Sequence, residues 1–171
     1  QVTNVAVGMG PLSREQVIAV ARHDARVSIA PDALAALAAT RARIEELAVA
    51  DRPVYGVSTG FGALATRHIP LERRADLQRS LIRSHAAGTG PEVEREVVRA
   101  MMLLRLSTLA TGRTGVRPIV AETYAALLNA GITPIVPSRC ADKAPPEPLF
   151  ALSSIAMSSR TSSVASGSVR K

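Results

Sequence analysis

Aromatic residues are nearly missing from this chain: 171 residues hold no Trp, two Tyr and two Phe. A core built without them must interlock Leu, Val, Ile and Ala, and a composition so rich in Ala and Leu favours helices packed on helices. Cysteine is equally scarce. A single Cys140 excludes an internal disulfide and any multi-cysteine zinc site. The three histidines, at 23, 68 and 85, never fall at ligand spacing with one another or with Cys140, so no metal site is expected. Lysine is almost absent too: 19 of the 21 basic residues are Arg, and the formal charge is +7. Charge alone would admit a nucleic-acid partner. The arginines are scattered, however, and there is no aromatic platform on which bases could stack, which argues against one. No apolar run approaches the roughly 20 residues of a membrane span. The start, "QVTNVAVGMGPLS", lacks the basic and apolar regions of a signal peptide. The expectation is a cytoplasmic protein with no membrane partner.

What is present reads as one mainly α domain with one or two short strands. The first eight residues alternate as a strand does. Ser13 and Gln16 form a capping-box pattern at the head of "SREQVIAVARHD". "ARVSIA" reads as extended. Pro31 and Asp32 open a longer helix that ends near Ala50. Further helices are expected over 71–84, with Leu71, Leu77, Leu81 and Ile82 as its apolar positions, over 92–110 and over the stretch "IVAETYAALLNAG". On the 92–110 helix the apolar positions are Val93, Val97, Met101, Leu104 and Leu109. "ITPIVP" is extended. At Ser138 the character changes: nine serines fall in the last 34 residues, with Pro145, Pro146 and Pro148 close together. The expected division is an ordered domain over 1–137 and a disordered Ser/Pro-rich tail over 138–171.

Three segments could carry chemistry. "YGVSTGFG" places Tyr55 in a loop shaped by glycines, Gly60 and Gly62 among them. Its phenol can donate or accept a hydrogen bond; the alternative is a ring that merely packs. "RSHAAGTG" sets Ser84 and His85 at a helix end, where a pocket role competes with a structural one. "GRTGVR" offers backbone N–H groups with Arg113 and Arg117 for an anion, or simply links two helices.

The ordered set "PVYGVSTGFGALA", "LQRSLIRSHAAGTG", "VRAMMLLRLSTLATGRTGVRP" and "LLNAGITPIVP" resembles the N-terminal region of the histidine ammonia-lyases, within the aromatic amino-acid ammonia-lyase family. The match runs from about Leu12 to Pro137. The resemblance implies a non-oxidative lyase that releases ammonia from L-histidine to give trans-urocanate, on the family's homotetrameric helical fold. It implies that Tyr55 is a catalytic base on a mobile loop. Glycines let such a loop move, and its closure expels water from the reacting groups. Ser84 and His85 fall where histidine-specific members carry a Ser-His substrate-binding pair, whereas tyrosine- and phenylalanine-specific relatives carry other pairs there. A fragment of a tyrosine or phenylalanine ammonia-lyase is the alternative.

The family needs no external cofactor, because an internal Ala-Ser-Gly cyclises to a methylidene-imidazolone. Here the segment after Pro137 lacks the expected Ser-Gly pattern. The one Ala-Ser-Gly triplet, Ala165 to Gly167, lies 28 residues past Pro137 instead of about ten. The expectation is therefore a truncated or frame-disrupted ammonia-lyase, inactive alone and unable to form the family tetramer. A helical interaction module that kept the scaffold without its catalysis is the second possibility.

Overall fold

The computed structural model describes residues 2–50, 52–85 and 88–139. The expected tail from Cys140 onward, with Ala165, Ser166 and Gly167, lies outside the described residues.

The chain opens with strand β1 (Asn4–Val7), helix α1 (Arg14–His23) and strand β2 (Arg26–Ile29), so that β1 and β2 pair in parallel with Asn4 opposite Arg26 and Val7 opposite Ile29. The connection is short because both ends of α1 are fixed locally. The Ser13 hydroxyl accepts from the Gln16 N–H, and the Gln16 side chain accepts from the Ser13 N–H, which completes the capping box. Asp24 then ends the helix in the left-handed region at φ 51°. Parallel strands of four residues have few ladder bonds, and a side chain supplies two more. The Asn129 amide accepts from the Val27 N–H at 2.7 Å and donates to the Val27 carbonyl at 2.8 Å, standing in for a third strand.

Helix α2 (Pro31–Val49) starts with Pro31 in its first turn, where a missing N–H costs nothing. After it come residues 52–73, which contain two short 3-10 turns, and then helix α3 (Arg74–His85). Strand β3 (Thr89–Glu92), helix α4 (Arg95–Ala110), helix α5 (Pro118–Asn129) and strand β4 (Pro137–Arg139) complete the described chain. β3 and β4 pair antiparallel, with an irregularity between Thr89 and Glu92. Mainly α with short strands is thus the class observed, though four strands, not one or two, occur among the described residues. The helix expected from Glu92 begins instead at Arg95. Gly90, at φ +93°, and Pro91 sit in β3, and the Val93 N–H donates to the Val136 carbonyl, so the backbone is committed to pairing before it turns helical.

One apolar cluster holds the structure. Val5 and Val7 from β1, Val20 from α1, Leu37 from α2, Met102, Leu103, Leu106 and Leu109 from α4, and Tyr124 and Leu128 from α5 all meet in it. The face expected on α4 is corrected in part. Leu109 is buried and Val93 and Met101 pack against the cluster as expected, but Val97 and Leu104 are exposed, while Val98, Met102 and Leu106 face inward. Both sides of this helix are apolar, so periodicity had two stripes to choose between. Arg99 lies fully buried on the inward side. Its Nε and Nη1 donate to the carbonyls of Val20 and Leu128, each at 3.0 Å, near the C-terminal ends of α1 and α5. Its Nη2 lies 3.1 Å from Asp24 Oδ1, an ion pair without hydrogen-bond geometry. The guanidinium therefore ties two helix ends together where their carbonyls lack intrahelical partners.

Candidate functional site

Tyr55 stands on a hairpin that closes on itself through its own backbone. The Val54 carbonyl accepts the N–H groups of Val57, Ser58 and Thr59 at 3.0 to 3.3 Å. The Ser58 hydroxyl accepts from the Val54 N–H at 2.9 Å, and the Thr59 hydroxyl accepts from Gly56 N–H and donates to the Gly60 carbonyl. Across the hairpin, Gly60 N–H donates to the Arg67 carbonyl and Ile69 N–H to the Ser58 carbonyl, on either side of a bridge between Thr59 and His68. The buried hydroxyls of Ser58 and Thr59 thus do the work that a hydrophobic core does elsewhere. Sequence reasoning passed over both residues; a Ser-Thr pair inside a Gly-rich run was the available signal.

The two glycines named from the sequence act differently. Gly60 is crowded: a Cβ there would lie 2.5 Å from Leu64 Cβ, so only glycine fits. Gly62 has open space around it but a φ of +55°, which disfavours any other residue. Together they let the chain turn tightly enough that Phe61 folds back to Tyr55. The two rings meet edge to face, 5.9 Å between centroids and 83° between planes. Tyr55 is nonetheless 63% exposed, so the contact orients the phenol without covering it.

Ser84 and His85 lie in the last turn of α3. Ser84 is exposed, and its hydroxyl donates to the Leu81 carbonyl at 2.8 Å. Ten residues of helix rise separate Ser84 from Arg74, about 15 Å along the axis. Tyr55, Gly60 and Gly62 therefore share one hairpin, whereas Ser84 and His85 occupy the far end of the helix that follows. Six arginines (52, 67, 73, 74, 79 and 83) against Glu72 and Asp76 make this whole stretch cationic. Of the turn proposed for an anion, Arg113 is exposed and Arg117 precedes the first turn of α5. No cluster of three or more potential metal ligands occurs among the described residues, and no described helix is long and apolar enough to cross a membrane.

The arrangement of helices and short strands is similar to that of solved ammonia-lyases and aminomutases. The tyrosine aminomutase of Streptomyces globisporus superposes with a TM-score of 0.74 at 38% identity, over 78% of this chain and 26% of that one. The histidine ammonia-lyase of Trypanosoma cruzi superposes with a TM-score of 0.72 at 31% identity, over 80% of this chain and 26% of that one. The family profile "Aromatic amino acid lyase" matches residues 12–141, and the chain belongs to that family. Within it, the histidine ammonia-lyase of Streptomyces griseus is 63% identical over 132 residues, which is 77% of this chain and 26% of that enzyme. The chain thus spans about a quarter of the length of the relatives it matches.

Proposed function

We propose that residues 12–137 are the part of a histidine ammonia-lyase that supplies the base and one wall of the substrate pocket. Tyr55 takes the proton from the β-carbon of L-histidine, while Ser84 and His85 line the pocket for the imidazole. Gly60 and Gly62 shape the hairpin that carries Tyr55. The observation that carries this reading is the placement of Tyr55: an exposed phenol in edge-to-face contact with Phe61, on a hairpin closed by its own hydrogen bonds. A base must be positioned before its basicity matters. The cationic surroundings suit a substrate that bears a carboxylate. The Ser84–His85 pair favours histidine over the tyrosine and phenylalanine alternatives, since a polar ring in a pocket needs polar partners.

The described residues contain no Ala-Ser-Gly run from which the family electrophile could form. They do not supply that group. The described residues by themselves are accordingly proposed to be inactive, working in the cytoplasm only as part of a complete ammonia-lyase site. The test is a chimera in which residues 12–137 replace the matching segment of the Streptomyces griseus enzyme. It should release urocanate from L-histidine, and Tyr55→Phe should lower kcat at least about a hundredfold, as loss of a general base does. Retained turnover in Tyr55→Phe removes Tyr55 from the chemistry.

A further inference from the structure

Arg74 is the first residue of α3, an unfavourable place for a cation, because the helix N-terminus carries the positive end of the dipole. Its side chain turns away from that end. Nε donates to the Ile69 carbonyl and Nη1 to the Ala48 carbonyl, each at 3.0 Å in part-buried positions. Ala48 lies in the last turn of α2, where carbonyls lack intrahelical partners and the dipole is negative. Ile69 is the residue at which the hairpin closes, since its own N–H donates to Ser58. One planar guanidinium therefore joins the helix before the hairpin to the point where the hairpin ends. Between these two points the hairpin adds no side chain to the apolar cluster.

We propose that Arg74 is a positioning residue, the latch that sets where the Tyr55 hairpin stands relative to α2 and α3. The hairpin is rigid in itself, so releasing the latch lets it swing as a body and carries Tyr55 away from its working position. A lysine can reach either carbonyl but has no fork with which to hold both at once. The proposal rests on Tyr55 as the reacting group only for its catalytic consequence; the latch itself can be read without turnover.

The chain has only two tyrosines, and Tyr124 is fully buried in α5, so it serves as a built-in reference. The full chain labelled with 3-fluorotyrosine gives two fluorine resonances, assigned with Tyr55→Phe. In Arg74→Gln the Tyr55 resonance is expected to shift while that of Tyr124 stays. Hydrogen exchange at the amides of Val49 and Arg73 should rise about tenfold, the scale of a lost charge-assisted hydrogen bond, while Thr59 and Ile69 keep their protection. Arg74→Lys should recover part of both effects. In the chimera described above, Arg74→Gln should lower kcat with little change in KM, and Arg74→Lys should restore part of it. Unchanged resonances and exchange rates in Arg74→Gln overturn the latch. So does exchange that rises equally at Thr59 and Ile69, or a shift at Tyr124, since either makes Arg74 a general support of the fold. If the latch signals hold while Tyr55→Phe remains active, the latch stands and the role of Tyr55 falls.

Discussion

Seven of the sixteen residues of α4 are buried, one of them an arginine; in α3, none of residues 74–84 is. The first helix runs through the middle of the apolar cluster, touched by α1, α2 and α5, while the second packs chiefly on the short turn before it. The difference separates the packed core from the candidate site. The packing around α4 is held chiefly by burial of apolar surface, about 25 cal/mol per Å² removed from water, with Arg99 tying in the ends of α1 and α5. The stretch that carries Tyr55 and Ser84 is held by backbone hydrogen bonds, two buried hydroxyls and the Arg74 fork. Such a stretch can shift against its neighbours more easily than a core can open, as the role proposed for Tyr55 requires.

If that contrast is real, truncating a core side chain of α4 must be costly. Leu103→Ala is expected to destabilise the full chain by about 2–5 kcal/mol in denaturant unfolding, the range for fully buried leucines. A cost below about 1 kcal/mol would mean that α4 is not the centre of the fold. Alkaline titration tests the same closure by another route. Burial pushes the Tyr124 phenol up to about 12, against an opposing pull from Arg105. The folded pKa lies above the unfolded value of about 10, so the contribution is complete below pH 10 and is lost as pH rises towards 12. In Tyr55→Phe, where Tyr124 is the one remaining tyrosine, phenolate absorbance should stay low until near pH 12, with about 2–3 kcal/mol of stability lost over that interval. Ionisation near pH 10 with helical circular dichroism intact would show that water reaches the cluster.

The packed unit and the hairpin were not equally legible. Ser13 and Gln16 announced the start of α1, and Pro31 that of α2, because capping is local and each signal sits within four residues of what it controls. On α4 the same method chose Val97 and Leu104, which face outward, since two apolar stripes on one helix satisfy the same period. Arg99 was invisible: its partners Val20 and Leu128 are 79 and 29 residues away, and composition places arginine at the surface. Arg74 was hidden for a similar reason, its two carbonyls being contributed by α2 and by the hairpin end. At the candidate site the order reversed. Tyr55, Gly60 and Gly62 stood out in the sequence because a tight hairpin demands particular residues at fixed positions. What could not be read there was how the hairpin is anchored.

The smallest expected effect is the most informative about α3. Leu71, Leu77, Leu81 and Ile82 were expected to form the apolar face of a helix beginning at Leu71. The helix begins instead at Arg74, and Leu71 lies in the short turn before it. None of the four is buried, and Leu71 is 68% exposed. With so little surface removed from water, Leu71→Ala in the full chain should cost less than about 0.5 kcal/mol, as surface substitutions do. That is at most about a quarter of the smallest cost expected for Leu103→Ala, for the same chemical change. A cost near 2 kcal/mol would instead require Leu71 to be covered, and the covering residues would have to come from outside the described part of the chain. The same measurement in the chimera separates the two cases. If Leu71→Ala is silent in this chain and costly there, the turn that leads into α3 is covered by the segment that the Streptomyces griseus enzyme contributes, and the hairpin gains that support only in that setting. If it is silent in both, that turn needs no apolar partner, and the backbone bonds with Arg74 suffice to hold the Tyr55 hairpin.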